Sequence, residues 1–274
     1  MIRRFVKASL IFILILSSVL VAFLTDIFVG NKRRKLICFS KITSFFSKII
    51  LKVLRIEVDV KNYENLSKGE GNYFIVSNHL SYIDIFVISS LIPSIFIASV
   101  DEVEGKFLVG TLAKFGGSVF VDRRNRAKLT EEIETISDML RDGLNVVLFP
   151  EGTTSNGDRV LSFKTSLLTP AVRSNIDILP ICVKYLKVNG ENLNAKNRDL
   201  VFYYGDMTFF KHFWGVLLLK SVEMELIGLE NPAHTTSLER VGVNRFVITI
   251  TFAKRITVGC CVILHRFYSA LLHS

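Results

Sequence analysis

The sequence predicts a single α/β domain, with a mixed sheet flanked by helices, behind N-terminal membrane-associated helices. Two observations lead to this prediction. Short β-rich runs alternate with helical stretches after Arg55, which is the pattern of an α/β fold. Residues 8–24 carry no charged side chain, whereas charged and apolar residues mix in the later segments. We therefore assign 1–56 to the membrane-associated helices and 57–274 to the α/β domain, with its motif-bearing core at 57–190.

The first apolar run has the length of a short membrane-spanning helix. Residues 8–24 fall at the lower end of the roughly 17 to 25 residues that a spanning helix needs. Basic residues flank both ends, at Arg3, Arg4 and Lys7 and again at 32–35, so counting positive charges does not orient the run. No small-x-small cleavage site follows it, which argues against a signal peptide. A span and a hairpin that enters one leaflet both remain open.

The next segment, Leu36 to Ile56, predicts an amphipathic helix. Apolar residues recur there at helical spacing, while lysines and Arg55 fill the other faces. The apolar positions are Ile42, Phe45, Phe46, Ile49, Ile50 and Val53. We favour an interfacial helix held by apolar insertion and by attraction of lysine to anionic headgroups. The alternative is an ordinary amphipathic helix that covers the domain.

The charge balance restricts the partners. The net charge of +9 comes from 34 basic and 25 acidic side chains, and it suits either nucleic acid or a membrane surface. Much of the excess lies in the first 55 residues beside apolar sequence, and no helix-turn-helix, zinc-finger or aromatic nucleic-acid motif accompanies it. We expect membrane lipids as partners and no nucleic acid. The four cysteines lack metal-ligand spacing, so we expect no metal.

Strands and helices are expected in alternation along the domain. The predicted strands are Glu57–Lys61, Tyr73–Ser77, Ser94–Ala98, Ser118–Val121, Asn145–Phe149, Ile178–Lys184 and Ser221–Leu226. The predicted helices are Ile83–Ser90, Leu108–Phe115, Leu129–Asp142 and roughly Ser166–Ser174. Ile248–Phe252 alternates like a further strand, and Val258–His273 fits a closing amphipathic helix.

A histidine and an aspartate follow the second predicted strand. On an ideal helix their five-residue separation would leave the side chains apart around the axis. The two side chains meet if His79 lies in the turn and Asp84 lies inside the helix. The Asp84 carboxylate then accepts a hydrogen bond from one ring nitrogen of His79, and the other ring nitrogen can act as a base. Such a pair activates a hydroxyl. The alternative is that Ser77 or Asn78 caps the helix and His79 is a polar loop residue.

Two other strand ends carry polar residues. Val146–Gly157 is an apolar strand that runs into a loop rich in Pro, Gly, Ser and Thr. Its Glu151 either binds a substrate headgroup, orders the loop against the sheet, or belongs to a plain turn. Gly117–Arg124 is a strand that runs into Asp122 and two arginines, where a guanidinium suits a phosphate, although a solvated charge cluster is the default interpretation.

Four blocks in this order resemble the glycerolipid acyltransferase family, typified by 1-acylglycerol-3-phosphate acyltransferases. The blocks are Asn78-His79-x4-Asp84, Gly117-x-x-Phe120-x-Asp122-Arg123, Phe149-Pro150-Glu151-Gly152-Thr153 and Leu179-Pro180. The resemblance covers roughly residues 55 to 190. It implies that His79 is the general base and Asp84 its orienting partner. It further implies a phosphate contact at Arg123, an acceptor site at Glu151, Gly152 and Thr153, and an acyl-donor side at Pro180.

One position departs from the family pattern. Many phosphatidate-forming members carry Arg directly after Glu-Gly-Thr, whereas this chain has Thr154. The loop resembles that of acyltransferases acting on lysophospholipids with larger headgroups or on lyso-ornithine lipid. We expect Lys164 to supply a replacement charge, although a point charge on a flexible stem discriminates less than a guanidinium. The acceptor headgroup therefore stays open.

The resemblance implies transfer of a fatty acyl group from acyl-CoA or acyl carrier protein to a lysolipid hydroxyl, without a cofactor, at the cytoplasmic side of a membrane. His79 would take the hydroxyl proton while loop N–H groups stabilise the oxyanion. Ser77 and Ser81 are not proposed as nucleophiles, because no Gly-x-Ser-x-Gly elbow is present. Two alternatives are a thioesterase or lipid hydrolase, in which His79 activates water, and a non-enzymatic peripheral membrane protein.

Overall fold

The computed structural model describes residues 2–62, 71–99, 118–122, 126–159, 161–163, 165–228, 238–240 and 246–248. Its helices are α1 (Ile2–Phe28), α2 (Lys32–Leu54), α3 (Ile83–Leu91), α4 (Arg126–Arg141), α5 (Thr169–Ser174) and α6 (Phe209–Val216). Its strands are β1 (Ile56–Lys61), β2 (Phe74–Ser77), β3 (Ile95–Ser99), β4 (Val119–Val121), β5 (Val146–Leu148), β6 (Ile178–Val188), β7 (Glu191–Asn192), β8 (Val222–Gly228), β9 (Leu238–Arg240) and β10 (Phe246–Ile248).

The main sheet is mixed, as predicted. Its strand order is β1-β8-β6-β2-β5-β3-β4, with β7 on the end of β6, and β9 and β10 form a separate antiparallel pair. The strands from β6 to β4 run parallel to their neighbours, whereas β8 is antiparallel to β6 and β1 is parallel to β8. The central strands β2 and β5 are buried along their whole length, which explains their continuous apolar sequences.

Successive side chains of the central strands point to opposite faces of the sheet, and each face has its own core. Ile75 and Val147 belong to the core that α2 and α3 cover. Phe74 and Val146 belong to the core that α4 and the α5 region cover. The sheet therefore lies between two helical layers.

The helix α1 is longer than the apolar run that predicted it. The most apolar 18-residue window of its segment Arg4–Phe28 has a mean hydropathy of 2.6, and only 11% of that window is buried. Lys7 Nζ donates to the carbonyl of Leu219 near one end of the helix. Near the other end, Arg33 Nε donates to the carbonyl of Asp142 over 2.6 Å. The α1–α2 hairpin is thus attached to the domain close to both ends of α1.

The helix α2 covers the domain, which is the alternative interpretation of its pattern. Its buried face contains three serines, together with apolar residues such as Ile50 and Leu54. The predicted apolar face is divided, because Ile50 packs into the domain core while Phe45 is 60% exposed. Arg55 adopts a left-handed conformation that ends α2 next to β1.

Several elements differ from the sequence predictions. The strand β6 continues to Val188, because its part from Ile181 to Val188 pairs with the antiparallel β8. Neither α6 nor β7 was predicted. The expected strand at Ile248–Phe252 is matched only at its first residue, the last of β10. The predicted helices Leu108–Phe115 and Val258–His273 lie outside the described residues.

Candidate active site

The turn between β2 and α3 brings the predicted pair together. His79 Nδ1 lies 3.0 Å from Asp84 Oδ2. His79 is in the turn, and Asp84 is the second residue of α3, so the two occupy the positions that the sequence prediction required. Asp84 Oδ2 also accepts from the backbone N–H groups of Leu80 and Ser81, at 2.7 and 2.9 Å. The carboxylate thereby holds the turn and the ring against the helix N-terminus, where negative charge is favoured.

The alternative interpretation of this segment does not match its hydrogen bonds. Ser77 Oγ donates to the carbonyl of Asn78 rather than accepting from α3. Asn78 Nδ2 donates to the carbonyl of Val183, and the N–H of Val183 donates to Asn78 Oδ1, both at 2.9 Å. The Asn78 amide therefore extends the pairing of β2 with β6 instead of capping a helix.

Tyr185 is a site residue that sequence reasoning missed. Its hydroxyl donates to Asp84 Oδ1 over 2.7 Å from β6, 101 residues along the chain. Burial, and then the charge of Asp84, raise the pKa of the Tyr185 hydroxyl well above its usual value, so it stays protonated and donates. Asp84 has no exposed surface and accepts four hydrogen bonds, which compensate its buried charge. No spacing in the sequence pointed to Tyr185.

Phe149 fixes the plane of the histidine ring. The two rings are stacked, with centroids 3.8 Å apart and planes 8° from parallel. The register explains this contact, because β2 and β5 are parallel neighbours that pair Val76 with Leu148. The residues that follow the two strands therefore meet at the carboxyl edge of the sheet. Phe149 is the first residue of the Phe-Pro-Glu-Gly-Thr block, and no role was predicted for it from the sequence.

The Glu151 side chain orders its loop. Glu151 is 5% exposed, and its Oε2 accepts from the N–H of Leu161 over 2.8 Å. Burial raises the pKa of the Glu151 carboxyl, while the backbone N–H groups of Leu161 and His79 act in the opposite direction. Gly152 adopts a positive φ of 72°, which suits glycine. Of the three alternatives, the contacts favour a loop ordered against the sheet.

The same loop is joined to the His79 turn. The N–H of Ser155 donates to the carbonyl of His79 over 3.1 Å. Further on, both terminal nitrogens of Arg198 donate to the carboxylate of Asp158. Thr153 is exposed, so it is the member of the predicted acceptor set that faces solvent. The loop and the histidine turn therefore form one hydrogen-bonded unit.

Of the remaining predicted site residues, Pro180 alone belongs to the described part of the chain. Pro180 is buried in β6, in register with Val76 of β2, and its acyl-donor role stays a prediction. Arg123 and Lys164 lie outside the described residues, so their contacts with substrate stay predictions. Asp122 follows the last residue of β4, and its backbone N–H donates to Glu132 Oε1 over 2.8 Å.

An aromatic cluster lies behind the turn. Tyr82 stands between His79 and Asp84 in sequence, and its hydroxyl is 3.1 Å from His212 Nδ1 of α6. Burial raises the pKa of Tyr82 and lowers that of His212, which favours a phenol that donates to a neutral imidazole. The Tyr82 ring also makes edge contacts with Tyr203 and Phe209, at 5.5 and 5.1 Å. The helix α6 is thus packed directly against the site turn.

Comparison with known proteins agrees with this geometry. A family model described as Acyltransferase matches residues 57–184. The chain is 32% identical to a lyso-ornithine lipid O-acyltransferase of Brucella abortus over 193 residues, which are 68% of this chain and 71% of that protein. It is also 32% identical to a lyso-ornithine lipid O-acyltransferase of Rhizobium meliloti over 178 residues, covering 62% of this chain and 61% of the relative.

Two further matches come from 1-acylglycerol-3-phosphate acyltransferases. The protein of Neisseria gonorrhoeae is 27% identical over 152 residues, covering 56% of this chain and 57% of the relative. The crystal structure of the Thermotoga maritima enzyme matches with a TM-score of 0.53 at 19% identity, covering 83% of this chain and 86% of that one. At that identity the likeness establishes the fold. The family match, the Brucella relative and the shared fold show that the chain belongs to the glycerolipid acyltransferase family.

Proposed function

We propose that the protein transfers a fatty acyl group from acyl-CoA or acyl carrier protein to the free hydroxyl of a lysolipid. One observation supports this most directly: a buried carboxylate with four hydrogen-bond donors holds His79 through Nδ1. That contact leaves Nε2 as the ring nitrogen with a free lone pair. An alkyl hydroxyl is a poor nucleophile at neutral pH, so a base in this position supplies what the reaction needs.

The proposed transfer is direct. His79 Nε2 takes the hydroxyl proton as the lysolipid oxygen attacks the thioester carbon. Asp84 stabilises the imidazolium, and the stacked ring of Phe149 keeps the imidazole in plane. Collapse of the tetrahedral intermediate breaks the carbon–sulfur bond, and the imidazolium returns its proton to the leaving thiolate. The ester and the free thiol then depart, and His79 is neutral again.

The hydrogen bonds of the turn support direct transfer over an acyl-enzyme. Ser77 is 1% exposed and donates to Asn78, and Ser81 has no exposed surface. Ser81 Oγ accepts from the N–H of Ile83 at 3.4 Å, within the same turn. Neither hydroxyl is accessible to a thioester, so the attacking oxygen is that of the acceptor lipid.

We propose lyso-ornithine lipid, or a lysophospholipid with a larger headgroup than phosphate alone, as the acceptor. Thr154 follows Glu-Gly-Thr where a phosphate-binding arginine is common in the phosphatidate-forming members. The two relatives at 32% identity are named for lyso-ornithine lipid, and that of Neisseria at 27% for 1-acylglycerol-3-phosphate. Arg123 and Lys164 are the proposed cationic contacts for any acidic group on the acceptor.

We propose that the protein works at the cytoplasmic side of a membrane, with α1 lying in one leaflet. Exposed apolar side chains occupy much of α1, among them Phe12, Leu16 and Leu20. A helix of 27 residues is about 40 Å long at 1.5 Å per residue. Because the hairpin is attached to the domain near both ends of α1, a perpendicular span would carry the domain into the bilayer. A one-leaflet position avoids that.

The test is an acyl-transfer assay on membranes that contain the protein. Labelled acyl-CoA and acyl carrier protein are offered with lysophosphatidate, other lysophospholipids and lyso-ornithine lipid. We expect Asp84→Asn to lower kcat by about 10³-fold or more, whereas Asp138→Asn, on the exposed face of α4, leaves it within about twofold. Full-rate release of thiol without any acceptor would instead indicate a hydrolase, and absence of transfer to every acceptor would refute the proposal.

A further inference from the structure

The helix α6 is apolar on two sides, and only one of them is used by the domain. Phe209 and Phe213 stack with centroids 5.8 Å apart, and Phe209 packs on Tyr82. On the other side, Phe210 is 71% exposed, Trp214 is 37% exposed, and Leu218 in the following turn is 58% exposed. A spacing of four residues places these three on one side of a helix. An outward row of this kind needs an apolar partner.

The start of α1 is fixed to the carboxyl end of α6. Arg4 donates to the carbonyl of Trp214 from two nitrogens, at 3.3 and 3.0 Å, and its guanidinium lies 4.7 Å from the centre of the Trp214 ring. Lys7 donates to the carbonyl of Leu219, and the Phe5 ring meets Trp214 edge-on at 5.7 Å. Cations are favoured at the negative end of a helix, where the last carbonyls lack partners. These contacts make the two helices one surface.

We propose that Phe210, Trp214 and Leu218, together with Phe5 of α1, form a second membrane-contact surface of this protein, named here the α6 lipid surface. Its occupant is the headgroup and upper acyl region of an anionic bilayer. The surface is continuous with α1, whose segment Arg4–Phe28 is apolar and largely unburied. Tryptophan suits such a boundary, because its ring is apolar and its N–H is polar.

The charges around the α6 lipid surface fit the same occupant. Lys211 follows Phe210 and is exposed, and Lys220 is exposed two residues after Leu218. Basic side chains beside an inserted apolar row attract anionic headgroups. No acidic residue lies within α6 itself. A protein partner would be expected to bring complementary carboxylates, whereas an anionic bilayer supplies both the negative charge and the apolar layer.

The position of α6 relates this surface to catalysis, and this relation rests on the proposed function, as does the membrane position of α1. The inner side of α6 contacts Tyr82 through Phe209 and His212. Tyr82 lies in the turn that carries His79 and Asp84. The bilayer is therefore separated from the site turn by a single layer of aromatic side chains.

Trp214 is the only tryptophan of the chain, so tryptophan emission, excited at wavelengths where the seven tyrosines absorb little, reports this surface alone. The purified full chain is reconstituted into vesicles of phosphatidylglycerol and phosphatidylethanolamine that carry brominated acyl chains. An interfacial ring should lie roughly 5–10 Å into the headgroup and acyl boundary. We therefore expect a blue shift of the emission and stronger quenching by bromine near the top of the acyl chains than by bromine near their ends. Trp214 emission that is quenched by bromine at neither position on the acyl chains would overturn the proposal.

A pair of matched variants separates this surface from general membrane binding. Phe210→Ser combined with Leu218→Ser should lose about half or more of the quenching, since each inserted apolar side chain contributes substantially to the depth of the helix. The control Leu200→Ser removes another exposed leucine, which is 43% exposed and lies outside the surface. Brominated lipid should quench the Trp214 emission of this variant as strongly as that of the native chain. Quenching of the double variant as strong as that of the native chain would refute the role of Phe210 and Leu218.

The quenching experiment is independent of turnover. A blue-shifted emission in the absence of lipid, without quenching by brominated lipid, would mean that a second copy or another part of the chain covers Trp214, and it would refute lipid as the occupant. Quenching in a chain that transfers acyl groups to no acceptor would support the α6 lipid surface while refuting the proposed function. The α6 lipid surface and the proposed function can therefore each be refuted without refuting the other.

Discussion

Replacing Tyr185 by phenylalanine removes one hydroxyl from the site and keeps the ring. The hydroxyl is the donor to Asp84 Oδ1, while His79, Leu80 and Ser81 all contact Oδ2. Without it, one oxygen of a fully buried carboxylate loses its partner, and the carboxylate becomes free to turn about its side-chain bond. The geometry of the Nδ1 contact then loosens. Tyr185 is in this sense a positioning residue, since it acts on the imidazole through Asp84.

The expected size of the effect follows from the kind of hydrogen bond. A bond to a charged acceptor contributes about 1.5–3 kcal/mol, and a loss of about 1.4 kcal/mol in the transition state lowers the rate about tenfold. We expect kcat to fall about 10- to 100-fold. KM for both substrates should stay within about twofold, because a residue that is 3% exposed and donates inward to Asp84 does not contact them. The free energy of unfolding should fall by about 1.5–3 kcal/mol.

Tyr204 provides a matched control. Its hydroxyl donates to Asp199 Oδ1 over 2.8 Å, so Tyr204→Phe breaks the same chemical contact in an exposed pair. We expect that variant to keep kcat within about twofold and stability within about 0.5 kcal/mol of the native chain. The assays are steady-state acyl transfer well below the melting temperature and thermal unfolding in detergent. An unchanged kcat in Tyr185→Phe, or an equal loss in both variants, would refute the positioning role.

Four further predictions follow from other parts of the chain. Burial raises the pKa of Glu151, so its carboxyl binds a proton more readily in the folded state than in the unfolded state. The contribution of this group to stability therefore falls as pH rises from 4.5 towards the raised pKa. Glu151→Gln should have a higher melting temperature than the native chain near neutral pH, and this difference in melting temperature should narrow in acid. Burial lowers the pKa of His212, so stability should fall as pH drops below 6.5, and His212→Asn should flatten that fall; an unchanged slope in thermal unfolding would contradict this. Thr154→Arg should shift the kcat/KM ratio towards lysophosphatidate by about tenfold, measured against lyso-ornithine lipid in competition. An epitope tag before Ile2 should be cleaved by protease from the same side of sealed vesicles as the domain, and protection of the tag would show that α1 spans.

The regular elements were predictable because their patterns are local. Strand runs such as 145–149 and the helix at 129–142 appear in the structure within a few residues of their predicted bounds. The helix α6 was missed for a physical reason: its eight residues make little more than two turns, which is shorter than the window of about 11 to 18 residues in which helical periodicity can be read. A helix this short is stabilised mainly by its tertiary contacts, here those of Phe209 and His212 with Tyr82.

One part of the candidate site could likewise be predicted from local sequence, and another part could not. The approach of His79 to Asp84 could be inferred from a strand, a turn and a helix start, all within twelve residues of sequence. The donor Tyr185 depends on the register of β6 against β2, which pairs Ser77 with Ile181 and which the Asn78 amide continues to Val183. Register between strands a hundred residues apart is a tertiary property that periodicity does not encode.

The burial of Asp84 is the feature that separates a catalytic pair from a carboxylate that only orders its turn. Such a carboxylate needs the two backbone donors at Leu80 and Ser81, which lie before α3, and it is most stable at the surface, where water satisfies the rest of its charge. Asp84 instead has no exposed surface, a position that costs several kcal/mol unless further donors compensate it. The fold supplies those donors from Tyr185 and from the ring of His79. Ordering the turn does not by itself require this arrangement, whereas a carboxylate held against Nδ1 stabilises a transient imidazolium, so the geometry supports acid–base chemistry at His79.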